Sequence, residues 1–224
     1  MRKQGIFGAT AIAGLTLWAG IALAADVDCT GGGPVCVGTP NEDEITGSAK
    51  ADVIRAKGGP DFAFARGGKD EVHGNGGADE LDGGGNDDVI YGEGGSDYLT
   101  ESDTSGRDRM YGGEGDDTQI EGGPEGDFLY GGPGNEGDAA GQQTGMYGDQ
   151  GPDRLYGGPG RDAMEGEEGA DRMYGGAGND YIDAVDDDTK GSVDIVRCGK
   201  GGNDVALVDV EDDVKGCEEV NKPI

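Results

Sequence analysis

The chain has 224 residues, of which 50 are glycine and 8 are proline, and its formal net charge at pH 7 is −30. So much glycine and proline predicts disorder unless the sequence is periodic. A surface this acidic repels nucleic acid and anionic membranes, and it favours a multivalent cation as a partner.

The first 24 residues have the features of a secretory signal peptide. Arg2 and Lys3 form a basic start, residues 6–23 are uncharged and mostly apolar, and Ala22-Leu23-Ala24 fits a small-x-small cleavage site. The stretch is also long enough for a retained membrane anchor, but its small residues favour cleavage. No other segment is apolar enough to span a membrane, so we expect a secreted protein with no membrane span after cleavage.

Four cysteines in an exported chain predict disulfide bonds. Three pairings are possible, and we favour Cys29–Cys36 with Cys198–Cys217 because each pair is local and flanks the repeats. A four-cysteine zinc site is the alternative, but the sequence has no C-x-x-C pair. We therefore expect short disulfide-linked caps, at residues 25–37 and at residues 184–224, on either side of the repeats.

A nine-residue phrase recurs between residues 38 and 183. It is clearest in GDQGPDRLY, GGPGRDAME, GEEGADRMY and GGAGNDYID, where glycines come first, an aspartate is sixth and an apolar residue is eighth. Seven upstream aspartates keep the same spacing, and the probability of six such steps by chance is on the order of 10⁻⁵. The sixth-position aspartates are Asp43, Asp52, Asp61, Asp70, Asp79, Asp88, Asp97, Asp108, Asp117, Asp127, Asp153, Asp162, Asp171 and Asp180.

Two regions interrupt the repeat. The repeat is irregular near residues 101–107, where Glu101-Ser102 are an insertion that makes the step from Asp97 to Asp108 eleven residues. A later unit has Gln119 at the apolar position with Ile120 following it. A local bulge that turns Ile120 inward would explain the second oddity. In residues 134–145 the phrase is lost, and Glu136 stands where an aspartate is expected. We expect a loop or a strained turn there, with weaker ion binding.

The phrase resembles the RTX, or haemolysin-type, calcium-binding repeat, whose nonapeptide is G-G-x-G-x-D-x-U-x with U an apolar residue. The resemblance implies an all-β fold, a right-handed parallel β-roll (a β-solenoid) in which two nonapeptides make one turn. The x-U-x residues would form a short strand with its middle side chain inward. Glycines would allow turns with positive φ, and equivalent aspartates would stack eighteen residues apart along two edges.

Calcium is the ion that this family binds. Carboxylate and carbonyl oxygens suit it, whereas magnesium demands a tighter octahedron, so we expect on the order of ten calcium ions held by the sixth-position aspartates. An individual aspartate could instead only cap its turn by hydrogen bonding. Because about one residue in nine is an inward apolar, the core is thin, and we expect calcium binding and folding to be coupled.

The sequence predicts no enzyme, because the repeats and caps occupy nearly all of the mature length and no G-x-S-x-G or H-E-x-x-H motif is present. We expect an extracellular structural or interaction module. Ninth-position tyrosines should face outward, where they either bind a protein or glycan partner or stack to support the sheet. The alternative is an extracellular hydrolase with a carboxylate site in the irregular residues 131–147 or 184–203.

Overall fold

A computed structural model describes residues 25–29, 35–102, 105–137, 144–186 and 192–222. The predicted signal peptide, residues 1–24, lies outside this part of the chain. No helix in the described ranges is long and apolar enough to cross a membrane.

The strands, β1 to β21 in order, are Ala25–Asp28, Val35–Val37, Asp43–Thr46, Val53–Gly58, Phe62–Phe64, Glu71–Gly77, Glu80–Asp82, Val89–Gly95, Tyr98–Thr100, Arg109–Glu114, Gln119–Glu121, Phe128–Tyr130, Gly145–Tyr147, Arg154–Pro159, Ala163–Glu165, Arg172–Gly178, Tyr181–Ala184, Ile195–Gly201, Val205–Val208, Asp213–Lys215 and Glu219–Asn221.

The strands form two sheets that face each other across one narrow core. Odd-numbered strands make an eleven-stranded sheet and even-numbered strands a ten-stranded sheet, each in chain order. All of the strand pairs described are parallel. The chain therefore passes from one sheet to the other about ten times and back, and the predicted all-β parallel β-roll is confirmed.

The pairing register shows that one turn contains two nonapeptides. Val72 pairs with Ile90, eighteen residues away, and Leu155 pairs with Met173 at the same separation. Where the repeat is interrupted, the extra residues lie between strands, so that Ile120 still pairs with Leu99. Ile120 is fully buried, as predicted, although Gln119 occupies the expected apolar position.

Eighth-position side chains make up most of the core. In each short x-U-x strand the middle side chain points to the opposite face from its neighbours, so only one residue per strand enters the interior. These side chains are fully buried at Ile45, Ile54, Val72, Leu81, Ile90, Leu99, Met110, Leu129, Met146, Leu155, Met173 and Ile182. The core is thus continuous along the solenoid but only two side chains wide.

Both ends of the solenoid carry a disulfide bond, Cys29–Cys36 and Cys198–Cys217, as predicted. Since all four cysteines are used in this way, the alternative of a four-cysteine zinc site is wrong. The terminal segments also contribute strands. β1 and β2 pair with β3 and β4, and β18 to β21 continue both sheets beyond the recognised repeats.

Candidate metal centres

The sixth-position aspartates form two columns, because each lies in the turn just before a strand and successive turns stack. All fourteen are buried, with at most 4% of the residue surface exposed. Column A precedes the odd-numbered strands and contains Asp43, Asp61, Asp79, Asp97, Asp117, Glu136, Asp162, Asp180, Asp204 and Glu218. Column B precedes the even-numbered strands and contains Asp52, Asp70, Asp88, Asp108, Asp127, Asp153, Asp171, Asp194 and Asp212.

Beyond Asp43 and Asp52, one carboxylate oxygen of each column aspartate accepts a hydrogen bond that joins two turns. The backbone N–H of Asp61 donates to Oδ1 of Asp79 at 2.8 Å, and the N–H of Asp79 donates to Oδ1 of Asp97 at 2.9 Å. The same bond crosses the insertion that precedes Asp108. From Asp61 and Asp70 onward, each column aspartate therefore accepts a backbone N–H of the preceding turn, which fixes the orientation of its carboxylate.

Five acidic residues of the columns were missed in the sequence: three buried ones described next, and the less buried Asp212 and Glu218, which accept the N–H groups of Asp194 and Asp204 at 3.0 and 2.9 Å. Asp194 and Asp204 continue the columns beyond the last recognised repeat, and both are buried. Their signal was an aspartate two residues before a buried apolar residue, which the loss of the regular nine-residue spacing obscured. Glu136 was recognised only as a departure from the phrase, yet it is fully buried and its N–H donates to Oδ1 of Asp162 at 3.3 Å.

The second carboxylate oxygen is left without a hydrogen-bond partner in most of the column. Among the described residues this buried, unpartnered oxygen is Oδ2 of Asp61, Asp70, Asp79, Asp88, Asp97, Asp117, Asp127, Asp153, Asp162, Asp171, Asp180, Asp194 and Asp204. A buried charged oxygen without a partner costs several kcal/mol as an order of magnitude. A cation beside it removes this penalty.

Eight of the unpartnered oxygens, those of Asp79, Asp97, Asp117, Asp127, Asp153, Asp162, Asp171 and Asp180, face a space that only glycine leaves open. Before Asp61 and Asp70 the corresponding positions are Ala56 and Ala65. A Cβ on Gly74 would lie 2.5 Å from Oδ2 of Asp79 and 2.9 Å from the carbonyl oxygen of Gly92, one turn further on. At Gly148 both corresponding distances, to Asp153 and to the next turn, are 2.7 Å. We call this space a glycine cradle. Carboxylate and carbonyl oxygens that converge in this way are the ligands of a hard cation such as calcium.

The first turn differs from those that follow. Oδ2 of Asp52 accepts hydrogen bonds from the backbone N–H and the hydroxyl of Ser48, at 2.7 and 2.8 Å. Asp43 accepts equivalent bonds from the N–H and hydroxyl of Thr39. These two turns lack the doubled glycine, and their aspartates have the turn-capping geometry that was the alternative to ion binding.

Burial makes ionisation of the column unfavourable when no cation is present. Desolvation is the largest cause in every case, and repulsion between neighbouring carboxylates adds to it in most, while the backbone hydrogen bond opposes it. The pKa is raised to about 8 for Asp88, Asp127, Asp153 and Asp194, to about 7 for Asp61, Asp97, Asp171 and Asp180, and to about 6 for Asp70, Asp108 and Asp117.

Filling a cradle with a methyl group tests its role directly. Gly74→Ala is expected to displace Oδ2 of Asp79 or the Gly92 carbonyl, to remove one bound ion, and to destabilise the calcium-loaded protein by about 1–3 kcal/mol. Native mass spectrometry counts the ions and thermal unfolding in calcium measures the stability. The matched control is Gly202→Ala, because a Cβ there meets no atom within 4 Å. Equal ion counts in both variants would contradict the cradle.

Comparison with known families agrees with this geometry. A family profile, the RTX calcium-binding nonapeptide repeat, matches residues 37–72, 46–81, 64–99, 102–118, 118–136 and 147–182, which together span more than half of the chain. A search of curated proteins finds no match. Repeats of this family bind calcium, and the stacked aspartates over glycine cradles fit that ion. The chain therefore belongs to the RTX calcium-binding nonapeptide repeat family.

Proposed function

We propose that this chain is a secreted protein that binds multiple calcium ions between the turns of its solenoid and folds when it binds them. The observation that carries the proposal is the row of buried carboxylate oxygens that have no hydrogen-bond partner among the described residues, eight of which face glycine cradles. Calcium accepts six to eight oxygens in flexible geometry, so it tolerates a cage of one carboxylate and several carbonyls better than magnesium does.

The ligands in this proposal are the column residues whose second carboxylate oxygen is unpartnered, together with Asp108. Asp43 and Asp52 are assigned instead to turn capping, because Thr39 donates to both carboxylate oxygens of Asp43 and Ser48 donates twice to Oδ2 of Asp52. Glu136 lies over Gly131 as an aspartate would, and both of its oxygens lack a hydrogen-bond partner among the described residues. This position favours a metal-binding role for Glu136 over a part in a hydrolase site.

An extracellular location is supported by two features. Disulfide bonds persist in oxidising compartments, and both ends of the solenoid have one. The predicted signal peptide at residues 1–24 would direct export. Extracellular calcium modules commonly work with dissociation constants of about 10⁻⁴–10⁻³ M, so the protein would load with calcium, and fold, after leaving the cell.

The outer face of the ten-stranded sheet supports a structural or interaction role. His73, Tyr91 and Tyr111 stack along it with ring centroids 4.9 and 5.0 Å apart, and Tyr156 stacks on Tyr174 at 4.7 Å. Parallel strands bring these rings into contact, so stacking that supports the thin sheet is the primary role we propose. The rings remain partly exposed, and this face is where we propose that an extracellular protein or glycan partner would bind.

One measurement tests export and ion binding together. The full chain, produced with its own N-terminus and recovered from the medium, is expected to have the mass of residues 25–224 with two disulfide bonds. Native mass spectrometry is expected to show on the order of ten calcium ions in addition. A protein that binds no calcium would overturn the proposed function, and a mass that includes residues 1–24 would overturn signal cleavage.

The same measurement tests the ligand assignment at a single position. Asp79→Asn is expected to lose one ion, because the amide oxygen still accepts the N–H of Asp61 but has no charge. The matched control is Asp87→Asn, since Asp87 is exposed and pairs with Lys69 at 2.5 Å. We expect the control to keep the full number of ions. An Asp79→Asn variant with that number would show that Asp79 is not a ligand.

A further inference from the structure

The insertion at residues 101–107 places a glutamate where the repeat has a glycine. Glu101 follows β9 directly, in the position that Gly83 takes after β7 and Gly122 takes after β11. Its side chain turns toward the preceding turn, because a Cβ on Gly83 would meet both oxygens of the Glu101 carboxylate. The glutamate therefore fills the cradle of Gly83, whose own aspartate is Asp88.

Three carboxylates meet at this point of column B. Ligand oxygens of Asp88, Glu101 and Asp108 all lie within 4.8 Å of one another. Asp88 is fully buried and Asp108 is 4% exposed. Both oxygens of Glu101 and Oδ2 of Asp88 are buried and have no hydrogen-bond partner among the described residues. None of the ion pairs found in the described ranges involves these three carboxylates.

The cluster differs from an ordinary glycine cradle in its charge. A cradle such as that of Gly74 brings one carboxylate oxygen together with a neutral carbonyl oxygen. In the cluster, the carboxylates of Asp88, Glu101 and Asp108 bring up to three negative charges to one cradle, that of Gly83. Calcium affinity increases with the number of charged ligands and with the rigidity of the site, and the backbone hydrogen bonds of column B hold Asp88 and Asp108 in place.

We propose that Asp88, Glu101 and Asp108 form a separate calcium site that is tighter than the repeated cradles and is the first to fill. The inference rests on the proposed function, since it takes calcium as the ion, but it assigns a ligand outside the repeat. An ion in this site would join the turns on either side of the insertion, where the separation of column B residues increases from 18 to 20. The insertion thus adds a binding group rather than only interrupting the array.

The test is a calcium titration of the full chain, followed by native mass spectrometry at substoichiometric calcium, with two variants of Glu101. Glu101→Gln is expected to lose the tightest ion, or to bind it at least about tenfold more weakly, and to leave the other ions unchanged. Glu101→Gly restores the glycine of the repeat. This variant is expected to bind the full number of ions at saturation, but none of them with the higher affinity of the proposed site, which we call the tight class. Glu168→Gln, an exposed turn residue, is the matched control.

The outcomes separate this inference from the proposed function. Wild-type protein that binds many calcium ions, with both Glu101 variants retaining the tightest class, would overturn the inference and leave the proposed function standing. Wild-type protein that binds no calcium would overturn both. Far-UV circular dichroism at saturating calcium checks that the variants fold, and if Glu101→Gln does not fold, the loss or retention of the tight class in Glu101→Gly decides.

Discussion

Chelating calcium at neutral pH is expected to unfold the solenoid to a coil, and adding calcium back is expected to restore it. Without the ions, thirteen buried aspartate oxygens have no partner among the described residues, and a chain of net charge −30 repels itself. An ion present at one hundred times its dissociation constant stabilises the folded state by about 2.7 kcal/mol. Several such ions exceed the whole stability of an ordinary domain, about 5–15 kcal/mol.

Far-UV circular dichroism during the titration measures this transition. We expect it to be cooperative in calcium, since each ion links two turns and a turn has few contacts beyond its neighbours. Magnesium at the same concentration is the control, and it is expected to produce little strand structure. A chain that is fully folded in chelator would contradict the coupling, because the two disulfide bonds and the thin core would then be sufficient.

Lowering the pH is expected to have opposite effects with and without calcium. In chelator, the free energy of unfolding should rise as the pH falls from about 8 to about 4. Burial raises the pKa of Asp61 to about 7 and of Asp153 to about 8, from 3.8 in the unfolded chain. Stability from such a group is fully present below the unfolded pKa and is lost as the pH rises through the folded pKa. A pKa difference of one corresponds to about 1.4 kcal/mol for each group.

With calcium bound the sign reverses, because the ligands must be deprotonated to hold the ion. Calcium affinity should therefore fall as the pH falls through the range of about 8 to 6, where these carboxyls take up protons. Far-UV circular dichroism in chelator at pH 5 and pH 8 measures the first direction, as the strand content that returns at the lower pH. Urea unfolding at the same two pH values in saturating calcium measures the second. Two parallel pH dependences would contradict the assignment of the buried aspartates as ligands.

Part of this architecture could be predicted because it depends on residues that are close together in the sequence. The nine-residue spacing of aspartate and apolar residues predicts one inward side chain per strand, and the family resemblance supplied the two units per turn. Both disulfide pairs were predicted because their cysteines are close in sequence and flank the array. The burial of Ile120 was predicted correctly. Successive residues of a strand point to opposite faces, so either Gln119 or Ile120 must face the core, and the apolar Ile120 is the one that is buried.

Other residues could be assigned only with the turns stacked. In the sequence, Asp52 and Asp79 occupy the same position of the repeat. In the structure, Ser48 donates two hydrogen bonds to Oδ2 of Asp52, whereas Oδ2 of Asp79 has no hydrogen-bond partner among the described residues. Asp194 and Asp204 follow irregular spacings, yet strand pairing returns them to the columns. Glu101 meets Asp88 and Asp108 because the insertion changes the register of a single turn.

The sequence by itself determined the repeat and the strand that each repeat forms, because these follow from contacts within nine or eighteen residues, and the resemblance to the calcium-binding repeat indicated the ion. Only the tertiary structure decided which carboxylates converge and which keep an unpartnered oxygen. That outcome depends on how each interrupted turn stacks on its neighbours, and a shift of one or two residues there moves a carboxylate into a cradle or out of it.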